Sequence, residues 1–103
     1  MMIIITGALR LPPDKIEEAR PHMRVLIETT QKEPGCLLYA WAEDVLEPGL
    51  IRMIEHWQDW PSFVAHDQSP HAAKWKAALA KMGLLDRDMW AYDGSNGRKL
   101  YAS

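Results

Sequence analysis

The 103-residue chain has a single cysteine, a single phenylalanine and six scattered glycines. Cys36 has no internal disulfide partner, which fits a reducing cytosol and makes a cytoplasmic location the expectation. The glycines form neither a phosphate-cradling loop nor a dinucleotide fingerprint, so no nucleotide or flavin cofactor is expected. Lys and Arg number 12 against 14 Asp and Glu, for a net charge of −2, and no basic run of five or more occurs, which argues against a nucleic-acid partner. Long hydrophobic runs are also missing. The apolar start, Met1 to Ile5, lacks a preceding basic region and is too short for a signal peptide or a membrane span, so no membrane partner is expected.

The composition is 48% hydrophobic and 25% charged, which is ordinary globular usage, so the chain should fold as one domain over residues 1–103. Five Trp and three Tyr stand against one Phe, an inversion of the usual core preference that points to a use for large, flat, amphipathic rings.

Along the chain, Ile3 to Leu11 reads as a strand ended by Pro12 and Pro13. Asp14, with Glu17 three positions on, looks like a capping box for a helix over roughly 14–32. Ile16, Ala19, Met23, Leu26, Ile27 and Thr30 give that helix one apolar stripe, Pro21 should kink it or delay its start, and Pro34 and Gly35 close it. Strands follow at Cys36 to Asp44 and Leu50 to Gln58, joined by a turn through Glu47, Pro48 and Gly49. Asp59 caps a short helix and Ser69 a longer one, with Ala72, Trp75, Leu79 and Met82 as its stripe and Gly83 as its stop. Asp88 to Asp93 reads as the last strand, before a polar tail. This order, β-α-β-β-α-β, is the α+β ferredoxin-like plan of one antiparallel sheet with helices on one face. A sheet with one wet face should alternate apolar and polar. The second strand instead carries Leu37, Tyr39 and Trp41 on one side and Leu38, Ala40 and Ala42 on the other, and the last strand sets Met89 and Ala91 against Trp90 and Tyr92. Both faces therefore want cover, and a second copy of the sheet, in a homodimer, supplies it. Leu100 and Tyr101, an apolar pair on a polar tail, are expected to reach toward that partner.

Two stretches carry a resemblance to a known family. One is the helix-to-strand junction Glu33, Pro34, Gly35, Cys36, Leu37, Tyr39; the other runs from Glu55 and Trp57 through Phe63 to His66, Ser69, Pro70 and His71. In these the chain resembles, over nearly its whole length, the antibiotic biosynthesis monooxygenases, which form dimeric α/β barrels and include quinol monooxygenases. The resemblance implies cofactor-independent monooxygenation, with O2 and a small aromatic or quinone-like molecule as partners. A non-enzymatic binding domain, or an isomerase using the same base, is the alternative on this fold. The family's haem-degrading branch uses an Asn, a Trp and an axial His where this chain has Gly7, His66 and Lys76, so haem is not expected.

Within this frame the candidate catalytic residues are His66 and Glu55. His66 is either a cavity-lining general base or a structural imidazole at the helix break. Glu55 shares a strand face with Met53 and Trp57 and so needs a partner there. It is either a structural acceptor, with Arg52 or an arginine of a second subunit as the candidate donor, or a base or an orienter of His66. Trp57, Tyr39, Phe63 and Trp75 are the candidate substrate contacts, each also usable as packing. His66 and His71 are five apart, without the i, i+4 spacing of a helical metal pair, and Asp67 does not complete a cage, so no metal ligands are assigned. His71 is expected to be structural or at the surface, His22 and His56 to face solvent or the second subunit, and Cys36 not to be a nucleophile.

Overall fold

The computed structural model describes residues 1–101. β1 (Met2–Arg10) leads through a 3-10 turn (Pro13–Lys15) into α1 (Ile16–Thr30), then β2 (Cys36–Glu43), β3 (Leu50–Trp57), α2 (Trp60–Asp67), α3 (Pro70–Met82) and β4 (Asp86–Gly94). The four strands form one antiparallel sheet in the order β2-β3-β1-β4, the ferredoxin-like arrangement. No helix among the described residues is long and apolar enough to cross a membrane.

Strand alternation decides which side chains meet the helices. Ile3, Ile5 and Leu9 of β1, Ile51, Met53, Glu55 and Trp57 of β3, and Tyr39 of β2 are buried on the inner face, with Ala19, Met23 and Leu26 of α1 and Trp75, Leu79 and Met82 of α3 above them. The register sets Glu55 opposite Ile5 on one side and Tyr39 on the other, so a carboxyl sits mid-sheet on the apolar face. Gly7 pairs with Met89, where a Cβ would lie 2.6 Å from the methionine Cγ; the missing side chain lets β4 close on β1.

The capping expectations divide. Asp59 accepts from Ser62 N at 2.9 Å and Ser69 from Ala72 N at 3.2 Å, and Gly83 ends α3 at φ 84°, as the sequence indicated. Asp14 caps nothing: it lies within the 3-10 turn that Pro12 and Pro13 impose, and α1 begins behind Lys15 with no side-chain cap. Pro21 neither delays nor splits α1, which runs unbroken from Ile16 and ends at Thr30. Leu37 does not share the Tyr39 face. A bulge between Cys36 and Leu38 takes it out of register, so Cys36 packs on the core and Leu37 is exposed.

The outer face of the sheet carries Ile4, Leu38, Ile54, Trp90 and Tyr92 by the same alternation, and Trp90 and Tyr92 are 60% and 52% exposed. Leu100 and Tyr101 lie exposed beyond β4.

Candidate functional site

A half-enclosed cavity of about 350 Å³ lies between the inner sheet face and the helices. Tyr39 and Trp41 of β2, Phe63 of α2 and Trp75 of α3 supply its rings, Glu55 and His66 its buried polar groups, and Lys76, Asp67 and Arg87 further charge. Of the residues singled out in the sequence, Tyr39, Phe63, Trp75, Glu55 and His66 converge on this space. Trp57 does not line it. Fully buried, it stands behind the wall and serves both polar groups: its indole Nε1 donates to Glu55 Oε1 at 3.0 Å, and its ring stacks on His66 with centroids 4.9 Å apart. Trp41 is a wall residue that sequence reasoning did not single out. Its place two positions beyond Tyr39 was the available signal, because i and i+2 share a face.

The partner of Glu55 is thus Trp57 and not Arg52, which points to the other sheet face and pairs with Asp44 at 2.9 Å. One donor does not replace the water a carboxylate loses on burial, and that desolvation pushes the Glu55 carboxyl up to about 7, with smaller contributions from the charges of Asp67 and Glu33. His66 is buried between the Trp57 ring and the edge of Tyr39. Desolvation holds its imidazole below the usual 6.5, against the opposing pull of Glu33 and Asp67. Burial and the nearby carboxylates raise the Tyr39 hydroxyl, which therefore stays a phenol.

Behind His66 lies a second group. Both Glu33 oxygens are 3.3 Å from its Nδ1, and the same carboxylate meets Nε2 of His71, the first of these residues lying in the turn after α1 and the last in the opening turn of α3. The three atoms lie within 4.8 Å of one another, a spacing that could take a transition-metal ion, while each also has a hydrogen-bond partner within the group. The third member is Glu33, supplied from a distant segment, and not Asp67, which pairs with Lys76 at 3.1 Å. His71 is half-buried between Ser69 and Glu33, while His22 is exposed and His56 half-exposed on the outer sheet face. Lys76, at the position where the haem-degrading branch was expected to have its axial histidine, is engaged with Asp67.

The fold and site define a ferredoxin-like α+β domain holding an aromatic cavity with a carboxyl and an imidazole in its wall. The sequence profile described as "Antibiotic biosynthesis monooxygenase" matches residues 2–78, well over half of the chain, and the chain belongs to that family. A Deinococcus radiodurans crystal structure, provisionally classed in the same family, superposes with a TM-score of 0.90 at 25% identity, covering 97% of this chain and 99% of that one. The uncharacterized protein sll1783 of Synechocystis is 32% identical over 69 residues, which is 67% of this chain and 47% of that protein, so this chain spans about half the length of that relative. YcnE of Bacillus subtilis, provisionally named a monooxygenase, is 27% identical over 70 residues, 68% of this chain and 74% of that one.

Proposed function

We propose that the cavity binds a small aromatic hydroxy compound of the quinol type and that the protein inserts one atom of O2 into it without metal or flavin, in the cytoplasm, as a homodimer. The observation that carries the reading is the placement of a buried carboxyl and a buried imidazole in one aromatic wall. Near neutral pH His66 is an unprotonated base, while Glu55 keeps its proton in a substantial fraction of molecules. Burial thus reverses the ordinary order of the two groups, raising the carboxyl and lowering the imidazole, which lets the imidazole act as base and the carboxyl as acid.

In such a reaction the substrate itself reduces oxygen, and a phenolate gives up an electron far more readily than a phenol. Taking the proton is the step a side chain can assist. A phenol near 10 facing an imidazole near 6.5 is uphill by about 3.5 units, or roughly 5 kcal/mol, in water. Burial of His66 widens that gap, so the imidazolium and phenolate must be stabilised together inside the cavity. Glu55 then gives its proton to the outer peroxide oxygen, which leaves as water together with the hydrogen of the oxygenated ring carbon, and the proton held by His66 restores Glu55, so that quinol and O2 become a hydroxyquinone and water. Tyr39, Phe63 and Trp75 offer faces and edges for a flat ligand, with Trp57 acting from behind. The second copy would cover the apolar outer face through Trp90, Tyr92 and Ile54, with Leu100 and Tyr101 reaching across.

The test is oxygen uptake with a hydroquinone panel, no metal or flavin being added. Turnover is expected, and His66→Ala should lower it by about two to four orders of magnitude while ligand affinity is largely kept. Saturable quenching of tryptophan fluorescence without turnover would show a binding domain instead. Full turnover by the variant would remove His66 from the chemistry.

A further inference from the structure

We infer that Glu33 is the positioning residue of this site: it fixes His66 in the tautomer that turns an unprotonated Nε2 to the cavity, and it supports the charge the ring acquires. The inference rests on the reading of His66 as the base. Glu33 was visible in the sequence as part of the helix-to-strand junction, with no role attached to it.

The hydrogen bonds around α2 and α3 constrain where the protons lie. Ser69 Oγ lies 2.6 Å from the backbone carbonyl of His66, which can only accept, so the single hydroxyl proton points there. The same oxygen accepts from Ala72 N at 3.2 Å. Toward His71 Nε2, also 3.2 Å away, it can then act only as an acceptor, and that nitrogen must carry a hydrogen. The N–H of His71 therefore faces Ser69 and the carboxylate of Glu33 together. An ionised carboxylate donates nothing, so Nδ1 of His66, 3.3 Å from both Glu33 oxygens, is a donor as well. A neutral imidazole has one N–H. With that hydrogen on Nδ1, Nε2 holds a lone pair, and no hydrogen bond engages it among the described residues.

Position agrees with this assignment. His66 lines the inner cavity and Glu33 does not; Glu33 lines an open cleft on the far side of the ring, together with Ser69 and His71. The carboxylate thus stands behind the imidazole, with its two oxygens shared between rings from two helices. The Trp57 and Tyr39 contacts restrict the plane of the His66 ring, but neither distinguishes its nitrogens. Glu33 does. The charged or titratable groups around His66 are Glu33 from the junction, Asp67 from its own helix, His71 from α3 and the Tyr39 phenol from β2, and of these Glu33 makes the hydrogen bond.

The experiment is a two-bond 1H–15N NMR spectrum of histidine-labelled full-length protein at pH 7.5, read beside the oxygen-uptake assay. Wild type should show His66 as the Nδ1–H tautomer. Glu33→Ala should move it toward Nε2–H, the form favoured in free histidine, and reduce kcat by up to about 10⁴-fold, the scale for a base held in the wrong tautomer, with KM little changed. Glu33→Asp should restore part of both. Should the alanine variant not fold, Glu33→Gln tests the charge with the shape kept, and should lower the pH at which His66 titrates. An Nε2–H tautomer in wild type, an unchanged tautomer in Glu33→Ala, or an unchanged His66 titration in Glu33→Gln overturns the inference. A tautomer that shifts as stated while turnover stays constant upholds the positioning by Glu33 and instead refutes His66 as the base.

Discussion

Glu55→Gln should stabilise the protein in a pH-dependent way. The carboxyl is 2% exposed, and its titration is raised from the ordinary 4.5 to about 7. A folded value above the unfolded one means that the contribution of this group to stability is fully present below about 4.5 and is lost as pH rises through about 7. At 1.36 kcal/mol per unit, the complete loss amounts to roughly 3 kcal/mol at pH 8. Glutamine keeps an oxygen to accept from Trp57 Nε1 and never ionises, so the variant escapes this loss. At pH 5 the two proteins should agree within about 1 kcal/mol, and at pH 8 the variant should lead by roughly 3 kcal/mol. With an ordinary urea dependence of about 1–3 kcal/mol per molar for a chain of this size, that lead is a midpoint shift of about 1 M or more.

The assay is urea unfolding followed by tryptophan fluorescence at both pH values, with protein concentration fixed because association adds to apparent stability. His66 works in the opposite sense. Its folded value is lowered, so its contribution is present above the unfolded 6.5 and lost as pH falls through the folded one. Comparing wild type and variant at the same pH cancels that contribution. An advantage of equal size at pH 5 and pH 8 would mean that Glu55 ionises in the fold as it does in water, and the assignment of an acid and a base to this cavity would lose its physical ground.

Two further outcomes follow from the backbone and the outer face. Gly35→Ala should destabilise by about 1–3 kcal/mol or more in the same urea assay, because the position has φ 81° and a Cβ there would collide with the Ser62 side chain. Trp90→Glu should leave the monomer folded by circular dichroism but shift light scattering toward half the mass, since the charge would fall on the face assigned to the second copy; a wild type already monomeric at micromolar concentration would refute that assignment.

The fold was legible because its signals are local and repeated. Alternation along β3 placed Met53, Glu55 and Trp57 on one face, and the caps at Asp59 and Ser69 marked both later helices. Where two local signals competed, the stiffer one won: paired prolines forced a 3-10 turn through Asp14, and a bulge at Leu37 broke an alternation that looked regular in the sequence. The cavity was legible in part, since Tyr39, Phe63, Trp75, Glu55 and His66 do meet there. The Glu33 group was not. Its carboxylate comes from a turn 33 residues before His66, and no spacing rule connects segments brought together only by packing α1 and α3 on the same sheet. Trp57 was misplaced for a related reason. Alternation assigns a face, but it does not say whether a large ring on that face borders a void or fills one.

That filled position makes Trp57 the element through which the two polar groups share one environment. Its indole N–H is the donor to Glu55, and its ring is the surface on which His66 lies. Trp57→Phe separates the two roles, keeping an aromatic face and deleting the donor. The bond from Trp57 pulls the Glu55 carboxyl down against the larger effect of burial, so its loss should raise that carboxyl further above 7. The lost packing will cost stability at every pH, which an unfolding midpoint would confuse with titration. A 13C NMR titration of the glutamate side-chain carbons reads Glu55 directly. The expected result is an upward displacement of the Glu55 midpoint, with the tautomer of His66 unchanged because Glu33 still holds it. If Glu55 instead titrates at the wild-type value, its proton is held by burial alone and the indole N–H contributes nothing to the acid; if the His66 tautomer changes too, the stacked ring and not the carboxylate is what orients the base.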